Sequence, residues 1–248
     1  MRIIAILGGG AFVVVSLVVG GRMLLLARRT RGLPELVLGL CLFLMGGLGY
    51  PLTAVARQAM ALDVGVRTGF MIVAHLCILF GAGSLGVFNW RVFRPESDAA
   101  RAACFALAAA LAGCFVWQGV TPGFAAGAVG KEGAAIVAIN LLTAVAMLWS
   151  GVESALHLQR LLRRQRLGIG DAVVTDRIRL WCFSMTGAAA IAVASTVLHF
   201  LGLDPAASVA GALIIGPVGL ASSIATWLAF LPPARYRARL EARRRAPA

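Results

Sequence analysis

The chain has 248 residues, of which 60% are hydrophobic and only 13% carry a charge. A water-soluble domain of this length needs much more polar surface, so the composition excludes one and indicates that lipid surrounds most of the chain. The net charge of +13 would suggest nucleic-acid binding in a soluble protein. Here the arginines lie at the ends of apolar runs and not on one basic face, so nucleic acid is not an expected partner.

Seven apolar segments are long enough to cross a membrane as helices, since about 20 residues span a hydrocarbon layer about 30 Å thick. They lie at approximately 3–26, 34–56, 69–90, 102–120, 133–156, 178–201 and 205–231. Their hydrophobicity is continuous, not alternating, so strands are not expected in lipid. The sequence predicts an all-α, polytopic membrane protein, with a seven-transmembrane-helix domain at 1–231 and a short basic tail at 232–248.

The basic residues are divided unevenly between the two ends of these segments. All but four of the 23 belong to the 1–2, 3–4 and 5–6 connections and the tail, and the four are Arg2, Arg57, Arg67 and Lys131. Because arginine-rich connections stay in the cytoplasm, we expect the N-terminus outside and the C-terminus in the cytoplasm. The preference for arginine over lysine, with abundant Ala and Gly, is typical of a GC-rich bacterial genome. We therefore expect the bacterial inner membrane.

Polar residues within the segments gather in the half that is predicted to lie toward the outside. The candidate ligand-binding residues are Tyr50, His75, Trp117, Asn140, Thr143 and His199, and Gln118 lies beside them. Polar groups at membrane depth cost free energy and usually face the bundle interior or a cavity. If these faces converge, they form a pocket for a small or lipidic ligand. The alternatives are single interhelical hydrogen bonds and, for Trp117, an interfacial aromatic belt.

The sequence contains no pattern typical of a catalytic or cofactor site. It has no HExxH arrangement, no GxSxG serine and no lysine within a span that could bind retinal, so an enzyme is not expected. The five cysteines lie in apolar runs without CxxC spacing, which predicts buried free thiols and no metal. His75 and His199 share one half of the membrane and would be the ligand pair for a haem, but no cofactor is expected.

Three stretches on the predicted cytoplasmic side resemble a group of bacterial seven-helix membrane proteins. They are FNWRVFRP (88–95), RLGIGDAVVTDRIRLW (166–181) and WLAFLPPARYRARL (227–240). Members of that group occur alone or as input domains of sensor histidine kinases and nucleotide cyclases. The resemblance implies sensing, with a cytoplasmic interaction surface at Arg91, Arg94, Asp171, Arg177, Tyr236 and Arg237. Contact of these side chains with solvent or lipid headgroups is the alternative.

The sequence leaves three functions open. The first is a receptor-like protein whose output passes to a separate cytoplasmic protein, because no kinase or cyclase segment follows the seventh helix in this sequence. The second is a small transporter built as 3 + 1 + 3 helices, with the fourth helix as the linker. The third is an accessory or scaffold subunit of a larger membrane complex.

Small residues are expected to hold the helices together, because the hydrophobic effect contributes little between helices in lipid. Gly, Ala and Ser recur at three- or four-residue spacing in 45–51, 81–86 and 186–195, which places them on single helix faces. Pro51 and Pro217 fall within spans, and each is expected to distort its helix because proline has no backbone N–H.

Overall fold

The computed structural model describes residues 2–58, 62–121, 124, 133–201, 203 and 208–245. Lys131 and the first three residues of the predicted seventh span, 205–207, lie outside these ranges. Within the described ranges every regular element is a helix. These helices are α1 (Arg2–Thr30), α2 (33–58), α3 (Val64–Phe93), α4 (Asp98–Val120), α5 (Ala134–Arg166), α6 (Ala172–Phe200), α7 (Val209–Phe230) and α8 (Ala234–Arg245).

Seven of these helices are long and apolar enough to cross a membrane, which confirms the number and order of the predicted spans. Several begin before the predicted apolar segment because a polar side chain caps them. Asp63 Oδ1 accepts from the amide of Gly65 at 2.7 Å, and Asp171 Oδ1 accepts from that of Val173 at 2.8 Å. Such caps satisfy amide groups that have no partner within the helix. The helices therefore extend beyond their most apolar parts.

Six helices pack in a closed ring, in the order α1, α2, α3, α5, α6 and α7, with α7 returning to α1. α4 lies outside this ring and packs against α3 and α5. Consecutive helices run antiparallel: Ser16 of α1 lies against Gly46 of α2, whereas Leu24 lies against Gly39. The end at which α2, α4 and α6 begin is here called the arginine-rich end. The end at which α3, α5 and α7 begin is the opposite end.

α2 changes from α-helix to π-helix over Cys41–Gly49, immediately before Pro51. In an α-helix the Pro51 ring would clash with the carbonyl of Gly47, and a proline supplies no N–H for the ladder. The wider π turn is therefore the form that the expected distortion takes here. α7, in contrast, continues as α-helix through Pro217.

Glycines allow the close helix contacts that the small-residue clusters predict. A Cβ atom on Gly49 would lie 2.6 Å from Ile78 Cγ1, and one on Gly81 would lie 2.6 Å from Met45 Cβ. Gly187 is likewise covered by the Ser222 side chain. The packing prediction is thus confirmed in all three clusters, and these contacts join α2 to α3 and α6 to α7.

The centre of the ring is filled mainly by methionine and small residues. A cavity of about 20 Å³ remains there, and its lining includes Met45, Met147 and Met185 together with the hydroxyl side chains of Ser16 and Ser223. A space of this size has room for about one water molecule. The ring centre is therefore packed, and ligand-sized space has to be sought nearer the ends.

Candidate functional site

At the opposite end, the structure brings one predicted site residue into a buried polar pair. His75 Nδ1 lies 2.9 Å from the Met71 carbonyl oxygen and 3.5 Å from Gln118 Nε2. The two side chains of the pair are 3% and 0% exposed, respectively. The Phe124 ring, 6.1 Å from the His75 ring, packs against the pair. A histidine and an amide buried together in this way can each exchange hydrogen bonds with a polar ligand.

The other predicted ligand residues lie in the same half of the bundle but in different settings. Tyr50 packs edge-on against Phe12, with 5.9 Å between the ring centroids. Thr143 is buried and donates to the Ile139 carbonyl of its own helix at 2.8 Å. Asn140 is half-buried on α5. His199 is also half-buried, and its buried Nε2 atom has no hydrogen-bond partner within the described part of the chain.

Trp117 and Gln118 are neighbours in sequence but face opposite ways. Trp117 is 43% exposed on the outside of α4, whereas Gln118 is fully buried. The signal for this difference is helical spacing: the buried positions Cys104, Leu107 and Leu111 recur at three and four residues, and Gln118 follows one heptad later. From residue type alone, Trp117 was predicted as a ligand-binding residue and Gln118 only as its neighbour.

At the arginine-rich end, three of the predicted interaction residues have contacts within the protein. The Arg91 guanidinium lies 4.3 Å from the centroid of the Trp90 ring, a cation–π contact. Arg94 Nε lies 3.0 Å from each carboxylate oxygen of Glu153, which links α3 to α5. Asp171 caps α6.

A fourth predicted residue, Tyr236, fixes the helix of the tail. Its hydroxyl donates to Asp176 Oδ2 at 2.5 Å, and Arg179 pairs with the other oxygen of the same carboxylate. Asp176 is only 5% exposed. Burial, together with this hydrogen bond, raises the pKa of Tyr236, so the phenol remains a neutral donor. The contact holds α8 against the start of α6.

The remaining two predicted interaction residues, Arg177 and Arg237, line one cavity with Arg22. The cavity has a volume of about 450 Å³ and opens where α1, α6 and α7 meet the tail. Its other lining residues are Val18, Trp227, Phe230, Leu231 and Pro232. Three guanidinium groups beside an aromatic and aliphatic wall are suited to an anionic group with an apolar part. Arg22 was not predicted here, because only the fold brings α1 beside the tail.

The His75–Gln118 pair and the arginine-lined cavity are the two candidate functional sites. No protein-family model matches the chain, and comparisons with curated proteins and with solved structures gave no match either. The His75–Gln118 pair offers hydrogen-bonding groups inside the bundle, and the arginine-lined cavity offers positive charge at the other end. Neither arrangement includes a nucleophile beside a base, and within the described residues no three His, Cys, Asp or Glu side chains group as metal ligands.

The Arg94–Glu153 pair is expected to contribute about 1 kcal/mol of coupling to the free energy of unfolding, since Glu153 is mostly buried but Arg94 is 46% exposed. A double-mutant cycle with Arg94→Ala and Glu153→Ala, measured by unfolding in mixed micelles, checks this value. The control is the more exposed Arg101–Asp98 pair, for which we expect less than about 0.5 kcal/mol. Equal coupling in the two cycles would contradict the prediction.

Proposed function

We propose that this protein is a receptor-like, sensory seven-helix protein of the bacterial inner membrane. In this proposal the N-terminus is outside and the C-terminus is in the cytoplasm, as the arginine distribution favours. A small or lipidic ligand binds in the half of the bundle at the opposite end. The signal leaves at the arginine-rich end to a separate cytoplasmic protein. The observation that carries the proposal is the buried contact between His75 and Gln118.

The pair joins a helix of the ring to the one spanning helix outside the ring within the described ranges. His75 belongs to α3 and Gln118 to α4, two helices long and apolar enough to cross a membrane, where buried polar groups are costly. A ligand with a donor and an acceptor can bind to this pair and change how α4 packs on α3. Such a ligand has different contacts in two arrangements of the helices, which is what a ligand-driven switch requires.

α3 also connects this pair to the arginine-rich end. Its last residues, Asn89–Phe93, are π-helical, and Asn89 is fully buried with its Nδ2 atom donating to the Ala146 carbonyl at 3.2 Å. Arg94 follows directly and pairs with Glu153. A shift of α3 at His75 would therefore displace α5 through these two polar contacts, which lie toward the predicted cytoplasmic surface. This connection supports sensing with output at that end.

A small transporter is the second candidate, and the position of α4 favours it. α1, α2 and α3 are consecutive in the ring, as are α5, α6 and α7, and α4 lies outside between them. In a 3 + 1 + 3 carrier, α4 would be the linker between two three-helix repeats. As far as the structure describes the chain, the ring centre is packed around a cavity of about 20 Å³ and has no ligand-sized space. This favours the receptor over the transporter.

The receptor proposal predicts a bound molecule that depends on Gln118. We expect purified protein in mild detergent to carry an additional mass in native mass spectrometry, and Gln118→Leu to lose it, since leucine keeps the bulk but forms no hydrogen bond. Trp117→Leu is the matched control, because that side chain faces outward from the same helix turn. Both variants should remain folded by circular dichroism, with Gln118→Leu destabilised by no more than about 2 kcal/mol through its lost hydrogen bonds.

Two results would contradict the receptor proposal. One is wild-type protein without any bound molecule, both in detergent and in nanodiscs made from native lipid. The other is a molecule that Gln118→Leu retains as well as Trp117→Leu does. Uptake of the same molecule into proteoliposomes, absent in Gln118→Leu, would move the assignment to the transporter.

A further inference from the structure

Three arginines from distant parts of the chain meet in the cavity at the arginine-rich end. Arg22 lies in α1, Arg177 in the first turns of α6, and Arg237 in the tail helix α8. Positive-inside bias explains why arginines lie at this end, but it does not require them to line one space. Their convergence is a property of the fold.

Within the described ranges, no carboxylate forms an ion pair with any of these three arginines. Among the described residues, the arginines that form ion pairs with carboxylates are Arg94, Arg101 and Arg179. The nearest buried carboxylate on α6, Asp176, is already bonded to Arg179 and Tyr236. Guanidinium groups that line one cavity repel one another, and a bound anion reduces that repulsion.

The rest of the cavity lining is apolar, which indicates that the bound anion also has an apolar part. Val18 and Trp227 belong to membrane-spanning helices, and Trp227 is 37% exposed on their surface. Phe230 and Leu231 continue this wall to the end of α7. A cationic rim above an aromatic and aliphatic wall, at the depth where a helix leaves the membrane, matches an amphiphilic anion.

We propose that Arg22, Arg177 and Arg237 bind the phosphate group of a phosphate ester whose apolar part lies along Val18 and Trp227. Guanidinium groups match phosphate oxygens with paired N–H donors. A volume of about 450 Å³ accommodates a phosphate headgroup with the first part of its attached chain or ring. Both an anionic phospholipid and a soluble organic phosphate have this chemistry. The inference does not rest on the proposed receptor function.

Tyr236 is a positioning residue for this site. Its bond to Asp176 holds α8 so that Arg237, the next residue, faces the cavity, and the turn at Leu231–Pro233 brings the tail back to the bundle. Tyr236→Phe removes the bond and keeps the ring. We expect it to weaken phosphate binding severalfold, about as much as the loss of Arg237 alone.

The test is a titration of purified protein, followed by native mass spectrometry. The lipid arm uses phosphatidylglycerol, and the soluble arm uses ATP and inorganic phosphate. The variant Arg22→Gln/Arg177→Gln/Arg237→Gln is compared with Arg28→Gln/Arg29→Gln/Arg163→Gln, which loses the same charge at exposed positions of the same end. We expect about a hundredfold loss of affinity in the first variant and less than about threefold in the second.

Each outcome has a definite meaning. If the Arg22/Arg177/Arg237 variant loses binding of phosphatidylglycerol but not of ATP or phosphate, the ligand is a lipid headgroup. If it loses binding of ATP or phosphate but not of phosphatidylglycerol, the ligand is a soluble phosphate. Equal losses in the two triple variants, or no binding in either arm, overturn the proposal. Because Gln118→Leu leaves all three arginines in place, failure of the receptor experiment and failure of this one are distinguishable.

Discussion

Replacement of Gly81 by alanine is expected to lower the free energy of unfolding by about 1–3 kcal/mol. A Cβ atom at this position would lie 2.6 Å from Met45 Cβ and 2.9 Å from the Met45 backbone nitrogen. The backbone of the π-helical segment of α2 would have to move, and that segment also packs against α1. Alanine is favoured over glycine in a helix by about 1 kcal/mol. The steric overlap outweighs this gain, so the substitution is destabilising. Unfolding in mixed micelles, followed by circular dichroism, measures it.

Gly83→Ala is the matched control for this substitution. Gly83 lies on the same helix, and a Cβ atom there would meet nothing within 4 Å. We expect its free energy of unfolding to be unchanged or to rise by up to about 1 kcal/mol, from helix propensity alone. Similar destabilisation by both substitutions would show that the α2–α3 contact is not the cause.

The number of spans could be predicted from hydropathy, but their ends could not. An apolar run reports where the chain contacts lipid, whereas capping hydrogen bonds decide where a helix begins. α6 begins at Ala172 and not near 178 because Asp171 caps it. α3 begins at Val64 and not near 69 because Asp63 caps it. Both aspartates are present in the sequence, but each lies several residues before the apolar run. A hydropathy criterion selects only the run itself and therefore misses them.

The π-helical segment shows a second limit of sequence reasoning. Pro51 indicated a distortion of α2, but the same residue is compatible with a kink, a bulge or a longer π segment. The choice depends on contacts with other helices: Gly46 meets Ser16 of α1, and Gly49 meets Ile78 of α3. Contacts between residues far apart in sequence are not readable from a local pattern.

The two candidate sites differ in how far the sequence could lead. At the opposite end, residue type identified His75, and helical spacing would have separated Gln118 from Trp117. At the arginine-rich end, the resemblance singled out Arg177 and Arg237, while Arg22 joins them only because α1 packs on α7. Electrostatic bias gives the side of the membrane on which a charge lies, but only packing decides which charges meet.

Trp181→Ala is expected to lower the free energy of unfolding by about 3 kcal/mol, at the lower end of the range for buried aromatic residues. Trp181 is 3% exposed and lies between Phe88 and Phe230, with edge-to-face ring distances of 6.2 and 5.4 Å. Transfer from water contributes little, because an unfolded helix stays in lipid, but the cavity and the lost ring contacts remain. Phe183→Ala, on the lipid-facing side of α6, is the control and should cost less than about 1 kcal/mol.

Trp181→Phe separates ring packing from hydrogen bonding at the same position. The indole Nε1 donates to Ser150 Oγ at 3.2 Å, and such bonds within membranes contribute about 0.6–1.7 kcal/mol. We therefore expect Trp181→Phe to cost no more than half as much as Trp181→Ala. Since Phe230 contacts Trp181 and also lines the arginine cavity, only the alanine variant should also weaken binding of the phosphate ester at that cavity. Unchanged phosphate-ester binding in a destabilised Trp181→Ala protein would show that the cavity wall does not depend on this aromatic cluster.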